Sequence, residues 1–253
     1  MSKKNKNKKQ IKFGLIGKNI SYSFSKKYFT EKFQLLHFDN CEYLNFDIAS
    51  IKDFPKILSE TKGLKGLNVT IPYKEEIIPY LDKLSKNAKI IGAVNTITIS
   101  KKKKLKGHNT DYYGFKKAIK PLLDTHHKKA LILGTGGASK AIAFAFKKLK
   151  IEYDFVSRNP NEFQLGYEEL NQEIFEEYQI IVNTTPVGTH PNIDDAPPLD
   201  YHLFTKNHIA FDLVYNPEET SFLRKAKTQG AKTKNGYEML LFQAEKAWSI
   251  WNG

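Results

Sequence analysis

Short apolar runs alternate with amphipathic stretches along the first part of the chain. The apolar runs have the length and composition of strands, and the amphipathic stretches have helical periodicity. In chain order the predicted elements are a strand at IKFGLIG, a helix at SKKYFTEKFQLLHF, a strand at EYLNFDI, a helical segment around IKDFPKILSE, a strand at GLNVTIP, a helix from about Tyr73 to Lys89, and a strand at AVNTITIS. This alternation predicts a sheet layered by helices.

A second series of elements begins near Leu105. It comprises the helical DYYGFKKAIKPLL, the strand KALILG, the helix ASKAIAFAFKKLK, and the strands YDFVS, QIIVNTT and HIAFDLV. These runs are continuously apolar, which is typical of parallel strands covered on both faces. The final GYEMLLFQAEKAWSIW carries a helical stripe of Tyr237, Leu240, Ala244, Ala247 and Trp251. No strand follows that helix, so it is free to cross back onto the first domain.

The chain length of 253 residues suits two modest domains sharing a cleft, although one large domain is also possible. We predict an α/β protein with the following organisation. Residues 1–10 form a disordered basic tail, residues 11–104 form one α/β domain completed by the helix at 236–253, and residues 105–235 form a doubly wound, Rossmann-like domain.

Several features favour a soluble, cytoplasmic protein. The longest apolar runs are too short to cross a bilayer. The basic start MSKKNKNKKQ leads into neither an apolar core segment nor a small-residue cleavage site, so it is not typical of a secretory signal. Cys41 is the only cysteine, which excludes an internal disulfide framework and fits a reducing compartment.

The formal charge of +13 raises the question of nucleic-acid binding. Arginine occurs only at Arg158 and Arg224, and the lysines are spread along the chain without an aromatic-interleaved stripe. Solvated lysines on helix faces are the better interpretation, and no nucleic-acid partner is predicted. The lysine run from Lys101 to Lys104 is expected to be an exposed turn between strands.

A glycine-rich turn follows the strand KALILG and precedes a helix. In that context Gly134 permits a tight turn, Gly136 lets backbone amides approach a pyrophosphate, and the helix directs its positive end toward the phosphates. Ser139 stands where the third glycine of G-x-G-x-x-G is usual. A turn of this kind without a ligand does occur, but the combination of strand, turn and helix favours a dinucleotide.

The end of the following strand bears on which dinucleotide is bound. An acidic residue there would hold the ribose hydroxyls of NAD, whereas this strand ends in Ser157, Arg158 and Asn159. A guanidinium can pair with a ribose 2′-phosphate, so NADP is favoured over NAD. The alternative is that Arg158 is an ordinary solvated surface residue.

Four clusters of short polar residues precede the glycine-rich turn. Each has a structural alternative: Ser25 could cap a helix, Thr70 could be a strand residue, Asn95 could hold a turn, and Asp111 could be an N-cap. The clusters are Ser23 and Ser25 in ISYSFSKKYF; Asn68, Thr70 and Lys74 in GLNVTIPYK; Asn95 and Thr96 in GAVNT; and Asn109 and Asp111 in GHNTDYYGF.

In this order the clusters resemble the shikimate dehydrogenase family, and the resemblance covers almost the whole chain after the basic tail. The matching segments are the serine pair, NVTIPYKEE, GAVNT, NTDYYGF, GTGGAS, NTTPVGTH, DLVYNPEET and NGYEMLLFQAEKAW. The resemblance implies a substrate domain followed by an NADP domain, and reversible NADPH-dependent reduction of 3-dehydroshikimate to shikimate in aromatic amino acid (chorismate) biosynthesis.

The resemblance also implies roles for individual residues. Lys74 and Asp111 would be the catalytic pair. Substrate would be bound by Ser23, Ser25, Thr70, Asn95, Asp111, Tyr215 and Gln243. The cofactor would be bound by Gly134, Gly136, Gly137, Ala138, Ser157, Arg158, Asn159 and Gly236. No metal is implied, and His126 with His127 is expected to be a solvated turn.

Elementary chemistry agrees with these implied roles. A cyclic polyol acid presents hydroxyls and a carboxylate, which serine, threonine, asparagine and glutamine can match. Carbonyl reduction needs a proton at the developing alkoxide, which an ammonium at Lys74 can supply. In so lysine-rich a chain the alternative for Lys74 is a surface residue at a helix start.

The chain departs from the family pattern at a few positions. Tyr22 and Lys26 replace a usual histidine and proline around the serine pair, and Thr189 replaces a usual methionine. Glu162 stands where a second basic residue often meets the 2′-phosphate, which makes the preference for NADP over NAD an open point.

Three alternatives for the function remain open. They are a quinate or quinate/shikimate dehydrogenase using NAD or NADP, a non-catalytic NADP-binding regulatory module of the same fold, and a nucleic-acid-binding protein. A monomer or a homodimer is expected.

Overall fold

The computed structural model describes residues 9–21 and 23–253. It divides into two compact units. The first extends from the described N-terminus to Asn109 and includes Ala247–Gly253, and the second is Thr110–Lys246. Most of the basic tail and Tyr22, one of the departures from the family pattern, lie outside the described residues.

A six-stranded mixed sheet forms the centre of the first unit, with strand order β2-β1-β3-β5-β6-β4. Strand β1 pairs in parallel with β2 and β3, whereas β5 is antiparallel to both β3 and β6. Its strands and helices are β1 (Ile11–Gly17), α1 (Phe24–Leu35), β2 (Cys41–Asp47), α2 (Phe54–Glu60), β3 (Leu64–Val69), β4 (Lys83–Leu84), α3 (Lys86–Ile91), β5 (Thr96–Ile99) and β6 (Leu105–His108).

Aromatic side chains fill one part of the core of the first unit. The indole of Trp251, near the C-terminus, lies 4.8 Å from the ring of Phe13 and 5.3 Å from that of Phe29. Its Nε1 donates a hydrogen bond to the carbonyl of Ile97 at 3.0 Å. A Cβ added at Gly66 would overlap this indole, so glycine is required there. The last residues of the chain therefore complete the core built by the first.

The long helix predicted between Tyr73 and Lys89 is wrong. That stretch contains turns, a 3₁₀ helix at Ile78–Tyr80, the short strand β4 and then α3. Pro79 lies within the 3₁₀ helix, lacks an amide donor and disfavours a helical conformation at the preceding residue, so a continuous α-helix cannot form. Ser85 starts α3 by accepting a hydrogen bond from the amide of Ala88 at 3.2 Å.

The lysine run does form a turn, as predicted. Lys101, Lys102, Lys103 and Lys104 are all exposed between the antiparallel strands β5 and β6.

A six-stranded parallel sheet forms the centre of the second unit, with strand order β12-β11-β10-β7-β8-β9. The doubly wound arrangement predicted from the sequence is therefore present. The strands and helices are α4 (Asp111–Ile119), β7 (Lys129–Leu133), α5 (Gly137–Leu149), β8 (Glu152–Ser157), β9 (Gln164–Gly166), α6 (Gln172–Glu177), β10 (Ile180–Asn183), β11 (Ile209–Asp212), α7 (Ser221–Thr228), β12 (Lys232–Lys234) and α8 (Tyr237–Asn252).

The apolar strands of the second unit supply two separate cores. Ile132 of β7 packs on one face with Phe115 of α4 and Phe146 of α5. Its neighbour Leu131 packs on the opposite face with Phe175 of α6 and Phe222 of α7. Successive side chains of a strand point to opposite faces of the sheet. A strand that is covered by helices on both faces therefore needs apolar side chains at nearly every position. This explains the continuous apolar runs.

Helix α8 begins in the second unit and ends in the first. The sequence had assigned this helix wholly to the first domain and had started the second domain at residue 105. In the structure β6 belongs to the first sheet, so the first unit extends to Asn109. Of the predicted stripe, Ala244, Ala247 and Trp251 are buried, whereas Tyr237 is 45% exposed. Across residues 9–21 and 23–253, no helix has the length and apolar character needed to span a membrane.

Candidate active site

Ser23 and Ser25 lie at the amino end of α1. Ser23 is the N-cap, because its Oγ accepts a hydrogen bond from the amide of Lys26 at 3.3 Å. Ser25, which the sequence offered as a possible cap, lies inside the first turn and is only 8% exposed. Capping therefore explains Ser23 and does not explain why Ser25 is polar.

Thr70 and Lys74 follow β3 in an irregular turn. The amide of Thr70 donates to the carbonyl of Ile16 at 2.9 Å, and the carbonyl of Lys74 accepts from the amide of Val94 at 2.7 Å. These bonds fix the backbone of both residues beyond the carboxyl ends of β1 and β3. Both side chains are partly exposed.

Asn68, Asn95 and Thr96 form a buried polar group where β3 meets β5. Asn68 and Asn95 are 4% and 3% exposed, and Thr96 is completely buried. The backbone of Asn95 is held on two sides, because its carbonyl accepts from the amide of Val69 at 2.9 Å and its amide donates to the carbonyl of His108 at 3.1 Å. The predicted substrate residue Asn95 thus has a rigid position in the first unit.

His108, the last residue of β6, lies directly across from Thr96. Among the described residues, no side chain or backbone group lies within hydrogen-bonding distance of its buried Nε2 atom. Burial, followed by the nearby charge of Lys106, lowers the pKa of His108 from 6.5 to about 4.

We expect the His108 imidazole to make stability pH-dependent. Because its pKa is lower in the folded state, the unfolded chain binds more protons between pH 6.5 and about 4. The stability contribution is complete above pH 6.5 and is lost as the pH falls toward 4. Denaturant unfolding at pH 7 and pH 5 should therefore show a larger loss of free energy for the wild type than for His108→Gln. Equal losses in both proteins would contradict the assignment.

Asp111 and Gln243 lie on the neighbouring helices α4 and α8 of the second unit. Asp111 is the first residue of α4 and is 6% exposed, and the N-cap position belongs to Thr110. The hydroxyl of Thr110 donates to Oε1 of Gln243 at 3.3 Å. The helices approach closely at Gly114, where an added Cβ would overlap the carbonyl of Met239. The structure thus brings these two predicted substrate residues to one end of the helix pair.

Gly134 makes the sharp turn after β7. Its φ of +99° lies in the region that side-chain-bearing residues rarely adopt. Its amide donates to the carbonyl of Val156 at 2.9 Å, and an added Cβ would lie 2.9 Å from Cγ2 of Thr185. Both conformation and space therefore require glycine here, as the sequence predicted.

Gly136 is the N-cap of α5, and the structure gives no internal reason for a glycine there. Its φ of −76° and ψ of −178° suit any residue, and nothing lies within 4 Å of an added Cβ. The first amides of a helix, here from Gly137 and Ala138 onward, lack intrahelical acceptors and favour anions. The open space beside them fits a pyrophosphate. Ser139 is fully buried and donates to the carbonyl of Gly136 at 2.6 Å, which explains how a serine is accommodated in place of the third glycine.

Ser157 is the last residue of β8, the strand next to β7, and Arg158 and Asn159 follow it directly. Oγ of Ser157 accepts a hydrogen bond from the amide of Asn159 at 3.2 Å. Arg158 is exposed, and its charge is near enough to Tyr167 to lower the pKa of that phenol, although burial raises it by more. The guanidinium is thus placed at the strand tip where a 2′-phosphate would be met.

Asp212 is the last residue of β11, and its hydrogen bonds join the loops next to the glycine-rich turn at Gly134. The sequence did not indicate a role for this residue. It is completely buried and accepts hydrogen bonds from Nδ2 of Asn183 at 3.0 Å, the amide of Val214 at 3.0 Å and the hydroxyl of Thr220 at 2.6 Å. Burial raises its pKa to about 7, against the lowering effect of these donors. Oδ1 of Asn183 in turn accepts from the amide of Thr185 at 3.0 Å. A carboxylate directly after an apolar strand was the available sequence signal.

Tyr215 and Gly236 lie beyond this network. Tyr215 is 36% exposed and lines an open cavity of 790 Å³ whose wall includes the carboxylates of Glu218, Glu219 and Glu238. Lys234 lines the same cavity, and two of these carboxylates are paired with lysines, Glu238 with Lys234 and Glu219 with Lys227. Gly236 is buried against the chain after β11, and an added Cβ would overlap the carbonyl of Leu213. Its role in the structure is to seat the start of α8.

Asp124, His126 and His127 bring their ligating atoms within 4.8 Å of one another. Both ring nitrogens of His127 are already bonded, Nδ1 to the amide of Asp124 at 2.8 Å and Nε2 to the carbonyl of Asn207 at 3.1 Å. The ammonium of Lys232 pairs with Asp124 at 2.5 Å. The cluster is therefore poorly suited to a cation, and the expectation of a metal-free protein stays a prediction.

Residues 15–97 match the family model of the shikimate dehydrogenase substrate binding domain. A shikimate dehydrogenase (NADP(+)) from Caldanaerobacter subterraneus subsp. tengcongensis is 37% identical over 263 residues, covering 95% of this chain and 91% of that protein.

Solved structures show the same similarity over the whole fold. The crystal structure of a shikimate 5-dehydrogenase from Thermus thermophilus in complex with NADP(H) and shikimate has a TM-score of 0.85 and 32% identity, covering 96% of this chain and 94% of that one. A quinate dehydrogenase from Corynebacterium glutamicum in complex with NAD has a TM-score of 0.84 at 27% identity, covering 97% of this chain and 95% of that one.

Proposed function

The chain belongs to the shikimate dehydrogenase family, and from this premise we propose that it reduces 3-dehydroshikimate to shikimate with NADPH, reversibly, in aromatic amino acid biosynthesis. The observation that carries the proposal is its likeness to the dehydrogenase solved with both NADP(H) and shikimate, over 96% of the chain. The chain is accordingly an oxidoreductase acting on a CH–OH group, with NADP as its cofactor.

The NADP site is assigned to the glycine-rich turn and the tip of β8. When bound, NADPH supplies a hydride from C4 of its nicotinamide. Gly134 shapes the turn, and the amides of Gly137 and Ala138 face the open space beside Gly136. Ser157, Arg158 and Asn159 are assigned to the adenosine end, and Gly236 to the nicotinamide end.

We assign substrate binding to seven residues by the resemblance to the family. Ser23, Ser25, Thr70 and Asn95 belong to the first unit, and Asp111, Tyr215 and Gln243 belong to the second. The burial of Ser25, Asn95, Asp111 and Gln243 supports this assignment, because polar side chains withdrawn from water are kept where hydrogen bonds are made, and the hydroxyls of a polyol can join them.

Lys74 and Asp111 are assigned the chemical step. As hydride reaches the ketone carbon, the carbonyl oxygen becomes an alkoxide and gains a proton. The ammonium of Lys74 stabilises that oxygen and donates the proton, and the carboxylate of Asp111 orients the substrate hydroxyl next to it. In the reverse direction the neutral amine of Lys74 takes the proton back.

The assay that tests the function is NADPH oxidation on adding 3-dehydroshikimate. We expect turnover with NADPH, and oxidation of shikimate by NADP in the reverse direction. Quinate should be tested beside shikimate, each with NADP and NAD. Rapid NAD-linked oxidation of quinate with negligible shikimate activity would overturn the assignment, and the absence of any turnover would indicate a non-catalytic NADP-binding module.

Arg158 should determine the preference for NADP over NAD. Loss of a guanidinium–phosphate contact should cost about 10- to 100-fold in affinity for NADP. We expect Arg158→Ala to raise KM for NADP by this factor while leaving KM for NAD within about twofold, because NAD lacks the 2′-phosphate. Arg224→Ala, which replaces the other arginine, is the matched control. Equal losses for both cofactors in Arg158→Ala would remove the arginine from cofactor discrimination.

We further propose a cytoplasmic location and a monomeric or homodimeric state for the enzyme. The single cysteine supports a reducing compartment. Sedimentation equilibrium of the purified protein would decide the oligomeric state.

A further inference from the structure

A continuous set of buried polar side chains runs through the first unit from β2 to β5. It begins at Tyr43, which is 2% exposed. The Tyr43 hydroxyl donates to Oδ1 of Asn68 at 2.7 Å. Nδ2 of Asn68 donates to the carbonyl of Asn95 at 3.2 Å and to Oγ1 of Thr96 at 3.3 Å. Oγ1 of Thr96 donates to Oδ1 of Asn95 at 3.1 Å.

The direction of these bonds is fixed by the chemistry of the groups. Tyr43 has one hydroxyl proton, which it gives to Asn68. Asn68 accepts through its oxygen and donates through its nitrogen, which fixes the orientation of its amide. Thr96 receives one proton and gives its own to Asn95. Every member is thus held by a neighbour.

Asn95, at the far end of this set, is a residue assigned to the substrate site. It accepts through Oδ1, so the bond from Thr96 fixes which end of its amide is the donor. Tyr43, on β2, fixes the orientation of the Asn68 amide by donating to its Oδ1.

We propose that Tyr43 is a positioning residue for the substrate: through Asn68 and Thr96, its hydroxyl holds the amide of Asn95 in the orientation that binds the substrate. The proposal rests on the assignment of Asn95 to the substrate site. Tyr43 itself touches no reacting atom in this role. Its contribution is to fix the orientation of the Asn95 amide before binding, so that little ordering is needed when the ligand arrives.

Phenylalanine is the substitution that isolates the hydroxyl. The ring of Tyr43 stacks on Phe29 at 4.8 Å and 11° and lies 6.5 Å from Trp251. Tyr43→Phe keeps these ring contacts and removes only the oxygen, so the variant should fold. It will be less stable than the wild type because Asn68 Oδ1 loses its donor in a buried site.

The decisive measurement is the equilibrium dissociation constant of shikimate, determined by calorimetry, together with steady-state kinetics. We expect Tyr43→Phe to raise Kd and KM for shikimate about tenfold. This factor corresponds to the loss of one hydrogen bond that orders the site before the substrate binds. The value of kcat should stay within about twofold because Lys74 and Asp111 are untouched, and KM for NADP should not change. Since Tyr43 acts through Asn95, Asn95→Ala and Tyr43→Phe should combine less than additively.

Trp251→Phe is the matched control. It alters the same aromatic cluster and removes the hydrogen bond to Ile97, so it should lower Tm at least as much, yet it has no bond to the polar set. Its Kd for shikimate should equal that of the wild type. An unchanged Kd in Tyr43→Phe, or an equal rise in Trp251→Phe, would overturn the positioning role. A wild-type protein that lacked dehydrogenase activity but bound shikimate tenfold more tightly than Tyr43→Phe would overturn the proposed function and still support this role.

Discussion

Replacing Lys74 with alanine should lower kcat for 3-dehydroshikimate reduction by about 10²- to 10⁴-fold, the range typical of a lost general acid. The dissociation constant of NADPH should change by less than about twofold, since the lysine acts on the substrate oxygen. Lys74→Arg should recover little of the loss, because a guanidinium keeps the charge but does not release a proton at neutral pH. Stopped-flow measurement of NADPH oxidation would separate the chemical step from binding.

Lys56→Ala provides the control for this experiment. Lys56 is an exposed lysine of the same unit, paired with Glu60 at 4.0 Å. Its removal should leave kcat within about twofold of the wild type, as for most isolated surface pairs. If Lys74→Ala retained wild-type turnover, the lysine would have no part in the mechanism.

Replacing Asp212 with alanine should have the largest effect on stability. Three donors, from Asn183, Val214 and Thr220, would lose their acceptor inside the second unit. At about 1–3 kcal/mol for each buried unsatisfied donor, partly relieved by relaxation, we expect a loss of at least about 3 kcal/mol. In a protein of this size that corresponds to a fall in Tm of roughly 6–12 °C. Calorimetry or thermal unfolding followed by circular dichroism would measure it.

Asp124→Ala tests whether burial is the cause. Asp124 also carries a close bond, to Lys232 at 2.5 Å, but its side chain is 52% exposed. Water replaces a lost partner at such a site, so the loss of stability should be much smaller than in Asp212→Ala. Comparable losses of stability in the two variants would show that burial does not increase the contribution of Asp212.

The parallel sheet of the second unit could be predicted from sequence because its pattern is local. Ile180–Asn183 and Ile209–Asp212 are apolar at nearly every position, and only a strand covered on both faces needs this. The turn at Gly134 was equally visible, because its strand, its glycine and its helix are consecutive. The helix predicted between Tyr73 and Lys89 is wrong because Pro79 interrupts the helical periodicity of that stretch.

Residues of the candidate site also differed in whether the sequence alone could indicate them. The roles given to Lys74, Asp111, Ser25 and Asn95 came from motifs that are short and contiguous. Asp212 and Tyr43 escaped attention because their importance lies in partners far along the chain. Asp212 meets Asn183 across 29 positions, and Tyr43 meets Asn68 across 25.

The sequence by itself determined the two α/β halves and the glycine-rich turn, and it supplied the residues proposed for the substrate site, since each depends on neighbouring residues and on periodicity. The tertiary structure alone decided that β6 belongs to the first sheet, that Trp251 completes the first core, and that Tyr43 meets Asn68. These contacts follow from strand order and register, which bring distant residues together and which no local pattern encodes.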